Sequence, residues 1–192
     1  MAKFPVVFDI ETKHTFRERS DVRKLEVSVA AIYDYGQGKG YVFKEDELSG
    51  LFRLLENASY AIGFNSDGFD LPVLSSYYHG DIKHFSSFDI LSDIKNILGF
   101  RLSLNDLVAA TLGKKKSGHG LQAIELFKEG RIDELKQYCL DDVMLTKELF
   151  DYGVNTGEIH YINERGKMPI RVDWKKYKEQ SGKSESLLTL PF

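Results

Sequence analysis

A single cysteine in 192 residues leaves Cys139 with no partner in its own chain, so an internal disulfide and a cysteine-built zinc site are both excluded. The apolar runs are far too short to cross a bilayer. The opening residues, Met1-Ala2-Lys3-Phe4-Pro5, contain no apolar signal core, so a cytoplasmic protein without membrane association is expected. Excess positive charge is also missing: 26 Lys and Arg stand against 29 Asp and Glu, for a net charge of −3. That argues against passive coating of nucleic acid, where cationic side chains must neutralise phosphates. The objection falls if some of the acids hold cations, because bound metal supplies the missing charge. No internal repeat or low-complexity tract is present.

What remains is the composition of an ordinary globular domain, 42% hydrophobic and 29% charged, in a chain long enough to bury a core unaided. Pro5-Val6-Val7-Phe8-Asp9-Ile10 reads as a buried strand, followed by strands over 25–35 and 39–44 with Gly36-Gln37-Gly38 between them. The apolar stripe Leu48, Leu51, Phe52, Leu54 and Leu55 predicts a helix ending at Asn57. A fourth strand over 59–64 and a helix over 70–78, broken early by Pro72, come next. Helices then follow over 89–98, 103–112, 121–128 and 132–152. Strands followed by alternating helix and strand predict an α/β fold with a mixed sheet. Beyond Gly153 the pattern changes. Residues 159–163 and 170–174 alternate around Glu164-Arg165-Gly166-Lys167 and predict a short C-terminal β-hairpin. Residues from Lys175 to Ser186 are polar and read as a flexible linker. The expected organisation is a domain over 1–152, a hairpin extension over 153–175, and a flexible tail over 176–192 with an apolar tip.

Three groups of acids fall at informative positions. Asp9 and Glu11 are two apart at the end of the first strand, so both project from one face, about 7 Å apart along the backbone. A lone Asp-x-Glu is expected about once by chance in so acidic a chain. Asn65-Ser66-Asp67-Gly68-Phe69-Asp70 joins a strand to a helix, the position where α/β sheets gather ligands; Asp70 would otherwise be a helix cap. Tyr138 and Asp142 are four apart on the long helix and share a face. An acid on a core-directed helix face is costly unless it is paired or bound to metal, and Asp141 is the neighbour expected to point outward. Asp89 reads as a helix cap, and Cys139 as a buried small side chain.

In this order, on these elements, the acids resemble the motifs of the DEDD (DnaQ-like) 3′–5′ exonuclease superfamily, which has a ribonuclease H-like fold. Asp9-Ile10-Glu11 matches the first motif, Asn65 through Asp70 the second, and Tyr138-Cys139-Leu140-Asp141-Asp142 the third, in its tyrosine form. Gln137 stands where the histidine form needs His. The similarity covers roughly residues 4–152. It looks closest to the proofreading domain of family B DNA polymerases, to which Leu112-Gly113-Lys114-Lys115-Lys116 adds. No polymerase domain accompanies it here, so the resemblance implies a free-standing exonuclease.

That resemblance implies two divalent cations, Mg²⁺ or Mn²⁺, held by Asp9, Glu11, Asp70 and Asp142, with Tyr138 orienting or deprotonating the attacking water. It also implies that Thr12, Asn65 and Phe69 contact the terminal nucleotide, although Thr12 reads equally well as an ordinary β-branched residue. Lys114, Lys115 and Lys116 are read either as a solvated charge run or as a grip on the phosphate backbone. His119 is not expected to be catalytic. The expected partner is a DNA 3′ end, with an RNA 3′ end or a non-catalytic nucleic-acid-binding module as alternatives, and the protein is expected to be monomeric. Finally, Leu187-Leu188-Thr189-Leu190-Pro191-Phe192 looks like the hexapeptide by which bacterial replication and repair proteins hold the sliding clamp, with Leu187 in place of the usual first Gln. A tip that folds back on its own domain is the alternative reading.

Overall fold

The computed structural model describes residues 3–114 and 120–179. Lys115, Lys116 and His119, and the tail beyond residue 179 with its Leu187–Phe192 tip, lie outside the described residues.

Strand β1 (Val6–Thr12) pairs antiparallel with β2 (Val27–Asp34), which pairs antiparallel with β3 (Lys39–Lys44). After helix α1 (Leu48–Asn57), strand β4 (Ala61–Gly63) returns parallel to β1. Helix α2 (Asp70–Leu74) leads to β5 (Ser87–Asp89), parallel to β4. The result is a five-stranded mixed sheet in the order β3-β2-β1-β4-β5. Helices α3 (Ile90–Leu98), α4 (Leu104–Leu112), α5 (Gly120–Lys128) and α6 (Ile132–Thr156) follow, then the hairpin β6 (Glu158–Asn163) and β7 (Gly166–Arg171), and a last turn, α7 (Lys175–Lys178). This is the expected ribonuclease H-like α/β fold, with helices on both faces and a C-terminal β-hairpin. Among the described residues no helix is long and apolar enough to cross a membrane.

The two-residue period of β1 divides the molecule. Val6, Phe8 and Ile10 enter a core closed by α1 and α2, while Val7 enters the larger core under α3 to α6. Asp9 and Glu11 continue the face of Val7, so both carboxylates are directed to the α6 side. A register shift between Glu11 and Thr12 ends this alternation.

The structure corrects several expected boundaries. β5 was not foreseen: it has three residues and runs directly into α3, too short for a periodic signal. α2 stops at Leu74 rather than 78, because the chain tightens into i→i+3 bonds from Ser76 to Val73 and from Tyr77 to Leu74. β7 starts at Gly166 rather than 170. Asn163 pairs with Gly166 across the two-residue turn Glu164-Arg165, and Gly166, the first residue of β7, has φ 101°. Pro169 is tolerated there because a two-stranded sheet has only edge strands.

Within residues 153–175, Val154, Ile159, Ile170, Val172 and Trp174 pack into the main core. Trp174 is 1% exposed, lies parallel to Phe150 with ring centroids 5.9 Å apart, and donates its indole N–H to Asp93 at 2.8 Å. It occupies space that Gly153 leaves open, where a Cβ would come within 2.4 Å of the indole. Trp174→Ala is therefore expected to cost about 3–5 kcal/mol in urea unfolding. A loss below about 1 kcal/mol would show that the hairpin does not share the core's stability.

Candidate active site

Three acids meet where α6 crosses the end of β1. One carboxylate oxygen from each of Asp9, Glu11 and Asp142 lies within 4.8 Å of the other two. The donor set is entirely oxygen, which suits a hard divalent cation. Ligands on opposite sides of such an ion are about 4.2 Å apart for Mg²⁺ and about 5 Å for Ca²⁺. Oxygens within 4.8 Å of one another are close enough to be gathered around a single ion, with a small inward adjustment for Mg²⁺.

Asp70 arrives from the other edge of β1 and is not part of that three-oxygen group. β4 pairs with β1 only at Val6 and Val7, so the strand ladder stops short of Ile10. The Asp70 carboxylate takes over, accepting the Ile10 N–H at 3.0 Å. Burial raises the Asp70 carboxyl well above the usual carboxylate range; the Ile10 N–H works against this and the Asp89 charge adds to it. A cation beside Asp70 would favour its ionised form. Cys139 registers the same field from below. Burial pushes its thiol up, and the Asp9, Glu11 and Asp142 carboxylates push it further. The thiol is thus buried and protonated, as expected for a packing residue.

The turn from Asn65 to Asp70 is held by one carboxylate. Asp89 accepts the backbone N–H of Asn65 at 2.8 Å and of Asp67 at 3.2 Å, and also caps α3 through Leu91 N–H at 2.9 Å. The helix cap read from the sequence is present, and its long-range half was not legible there. Asn65 has φ 65°, a left-handed conformation that Asn adopts more readily than most residues.

These residues line a cleft with two lobes, which share Asp9, Asp142, Phe64 and Asn65. The first, about 460 Å³, is bordered by Glu11, Thr12, Phe16, Phe69, Asp70 and Leu121. The second, about 470 Å³, is bordered by the segment Arg101–Leu104. Thr12 is buried and its hydroxyl donates to the His14 carbonyl at 3.0 Å. Phe69 is half-buried and packs on Phe16 with centroids 5.8 Å apart. Tyr138 lies one turn from Asp142 and is 4% exposed; it belongs to the core beneath the cleft and is not among the residues that border either lobe. Lys114 forms an exposed ion pair with Glu148 and borders neither lobe.

Sequence reasoning did not single out Phe16, Leu121 or Arg101. Phe16 and Leu121 are 56% and 60% exposed at the mouth of the first lobe. Arg101 donates to the Asn65 side-chain carbonyl at 2.8 Å. These approaches are tertiary, and no spacing within one element announces them.

A family model described as 3′–5′ exonuclease matches residues 1–152. No curated protein matches the chain. Among solved structures, the family B DNA polymerase from the hyperthermophilic archaeon Pyrobaculum calidifontis is similar, with a TM-score of 0.60 and 20% identity. The match covers 78% of this chain and 24% of the polymerase chain, so the likeness is one of fold to a minor part of that enzyme.

Proposed function

We propose, from the premise that this chain belongs to the 3′–5′ exonuclease family whose model spans residues 1–152, that it removes nucleoside 5′-monophosphates one at a time from the 3′ ends of single-stranded DNA. The observation that carries this reading is the cluster of Asp9, Glu11 and Asp142 oxygens in a cleft also bordered by Asp70. Asp9, Glu11 and Asp142 would hold one divalent cation, and Asp70 together with Asp9 a second, either Mg²⁺ or Mn²⁺. When bound, the pair would acidify the attacking water and stabilise charge on the attacking and leaving oxygens.

The chain's own residues account for the rest. Asn65 and Thr12 would position the terminal nucleotide, and Phe69, backed by Phe16, would pack against its base in the first lobe. Tyr138 would orient the attacking water through a hydrogen bond at its phenol oxygen or, ionised to the phenolate, take the proton that the water loses as it attacks. Water oxygen bonds to phosphorus, the bond from phosphorus to the 3′ oxygen of the preceding nucleotide breaks, and that oxygen regains a proton. Resemblance to the proofreading domain of family B polymerases is part of this proposal, supported by the shared fold.

The test is digestion of matched 3′-end-labelled and 5′-end-labelled single-stranded DNA, duplex DNA and RNA with Mg²⁺, Mn²⁺ or EDTA. Stepwise shortening from the 3′ end of single-stranded DNA, with monophosphate products and no reaction in EDTA, is expected. Equal digestion in EDTA, or no digestion of any substrate with either metal, sinks the assignment; faster loss of RNA reassigns the substrate.

The Leu187–Phe192 segment is proposed as a docking peptide for a sliding clamp, with Leu190 and Phe192 as its anchors. A peptide of residues 181–192 titrated against a bacterial clamp should bind, and Phe192→Ala in the full chain should weaken binding at least tenfold. No binding at high micromolar concentration ends that proposal.

A further inference from the structure

Helix α3 ends at Gly99 in the left-handed conformation, and the chain then presents Phe100 and Arg101 before α4 begins. Arg101 borders the second lobe of the cleft, is exposed, and is tied to the carboxylate end through its hydrogen bond to Asn65. Phe100 is 46% exposed. It stands edge-on against Tyr161 of β6, with ring centroids 6.0 Å apart at 65°. Arg101, on the lobe that Asp9 and Asp142 border, is thus preceded in the chain by a solvent-open ring, Phe100, that packs on a second ring, Tyr161.

Cation and rings in succession match the repeating chemistry of single-stranded nucleic acid, a phosphate and then a base. Every base has a π face, so rings bind it without reading sequence. The first lobe already provides for a terminal nucleotide, and the second opens from the same Asp9 and Asp142. The N-terminus of α4, capped by Ser103, also borders this second lobe, its partial positive charge offset by the Asp106 carboxylate in the first turn.

We propose that Arg101, Phe100 and Tyr161 form a track for the strand behind the terminal nucleotide. Arg101 binds a backbone phosphate, and the Phe100–Tyr161 pair stacks a base several nucleotides from the 3′ end. This inference deepens the exonuclease reading above and rests on it. Its consequence is a preference for strands long enough to reach Phe100.

The test compares binding of 5′-fluorescein dT12 and dT3 by anisotropy in EDTA, where the strand stays intact. The wild-type chain should bind dT12 more tightly than dT3. Phe100→Ala should lose at least about fivefold on dT12 and little on dT3, and Phe100→Trp should restore the difference. Arg101→Ala should reduce the slope of log K against log salt by about 0.7, the value for one phosphate on a single strand. Equal affinity of the wild type for both lengths, an unaltered dT12 affinity in Phe100→Ala, or an unaltered salt slope in Arg101→Ala each overturns the track. Mn²⁺-dependent hydrolysis of thymidine 5′-monophosphate p-nitrophenyl ester by the wild type, a substrate too short for Phe100, separately reports on the carboxylate site. Its failure would count against the exonuclease reading alone.

Discussion

Asp9→Asn, Asp70→Asn and Asp142→Asn are each expected to reduce Mn²⁺-dependent release of nucleoside monophosphates to background, a loss of at least about 10³-fold. Asparagine keeps the shape and one acceptor oxygen, so each variant tests charge. That matters most at Asp70, where alanine would strip the Ile10 N–H of its acceptor and cost about 1–3 kcal/mol of stability. The same variants should respond differently to metal. A ligand that binds only the folded state stabilises it by mass action, so saturating Mn²⁺ should raise the wild-type melting temperature. For a chain of this size each kcal/mol is worth about 2–4 °C. Asp9→Asn should lose that rise. Wild-type rates in all three variants would remove the carboxylates from the mechanism. A Mn²⁺ stabilisation that survives in Asp9→Asn would place the ion elsewhere.

How far such a site can be read from sequence depends on the reach of the contact. Asp9 and Glu11 were legible because strand alternation is local: the period that buries Val7 also directs both acids toward α6. Asp142 was legible because an acid among Leu140, Val143 and Leu145 on a long helix demands an explanation. The Asn65–Asp70 turn was legible as a motif, but not the device that holds it. The Asp89 carboxylate reaches back 24 residues to the Asn65 N–H, and only its local capping role leaves a trace in sequence. Arg101 meets Asn65 across 36 residues, and Phe16 meets Phe69 only through the tertiary fold. β5 escaped for the opposite reason, because three residues hold too little pattern to separate strand from helix cap.

The burial of Trp174 extends the point. A tryptophan near the start of a polar stretch reads naturally as the end of a hairpin. Its position is set by the absence of a side chain at Gly153, on a different element, and by Asp93 on a third. The hairpin thereby becomes part of the packing that holds α6, and α6 carries Asp142. The helix that Trp174 packs against at Gly153 is therefore the same one that carries Asp142.

Tyr138→Phe is expected to slow single-turnover hydrolysis by about 10²- to 10⁴-fold, with metal-induced stabilisation nearly unchanged. The motivation is position: Tyr138 lies one turn from Asp142 on the same face of α6. Its burial makes the experiment sharp. At 4% exposure the ring packs with Leu135, Val143 and the rest of the main core, and phenylalanine preserves that packing while deleting one oxygen. Tyr138 does not border the cleft, so its action on water requires either a solvent molecule reaching it beside the acids or a rotation of the ring once substrate is seated. Both routes predict that the loss falls on the chemical step. The rate at saturating metal and substrate should drop, while the concentration of strand needed for half-saturation stays close to wild type. A rate within twofold of wild type under those conditions would return Tyr138 to the core as a packing residue, leaving Asp9, Glu11, Asp70 and Asp142 to carry the reaction without it.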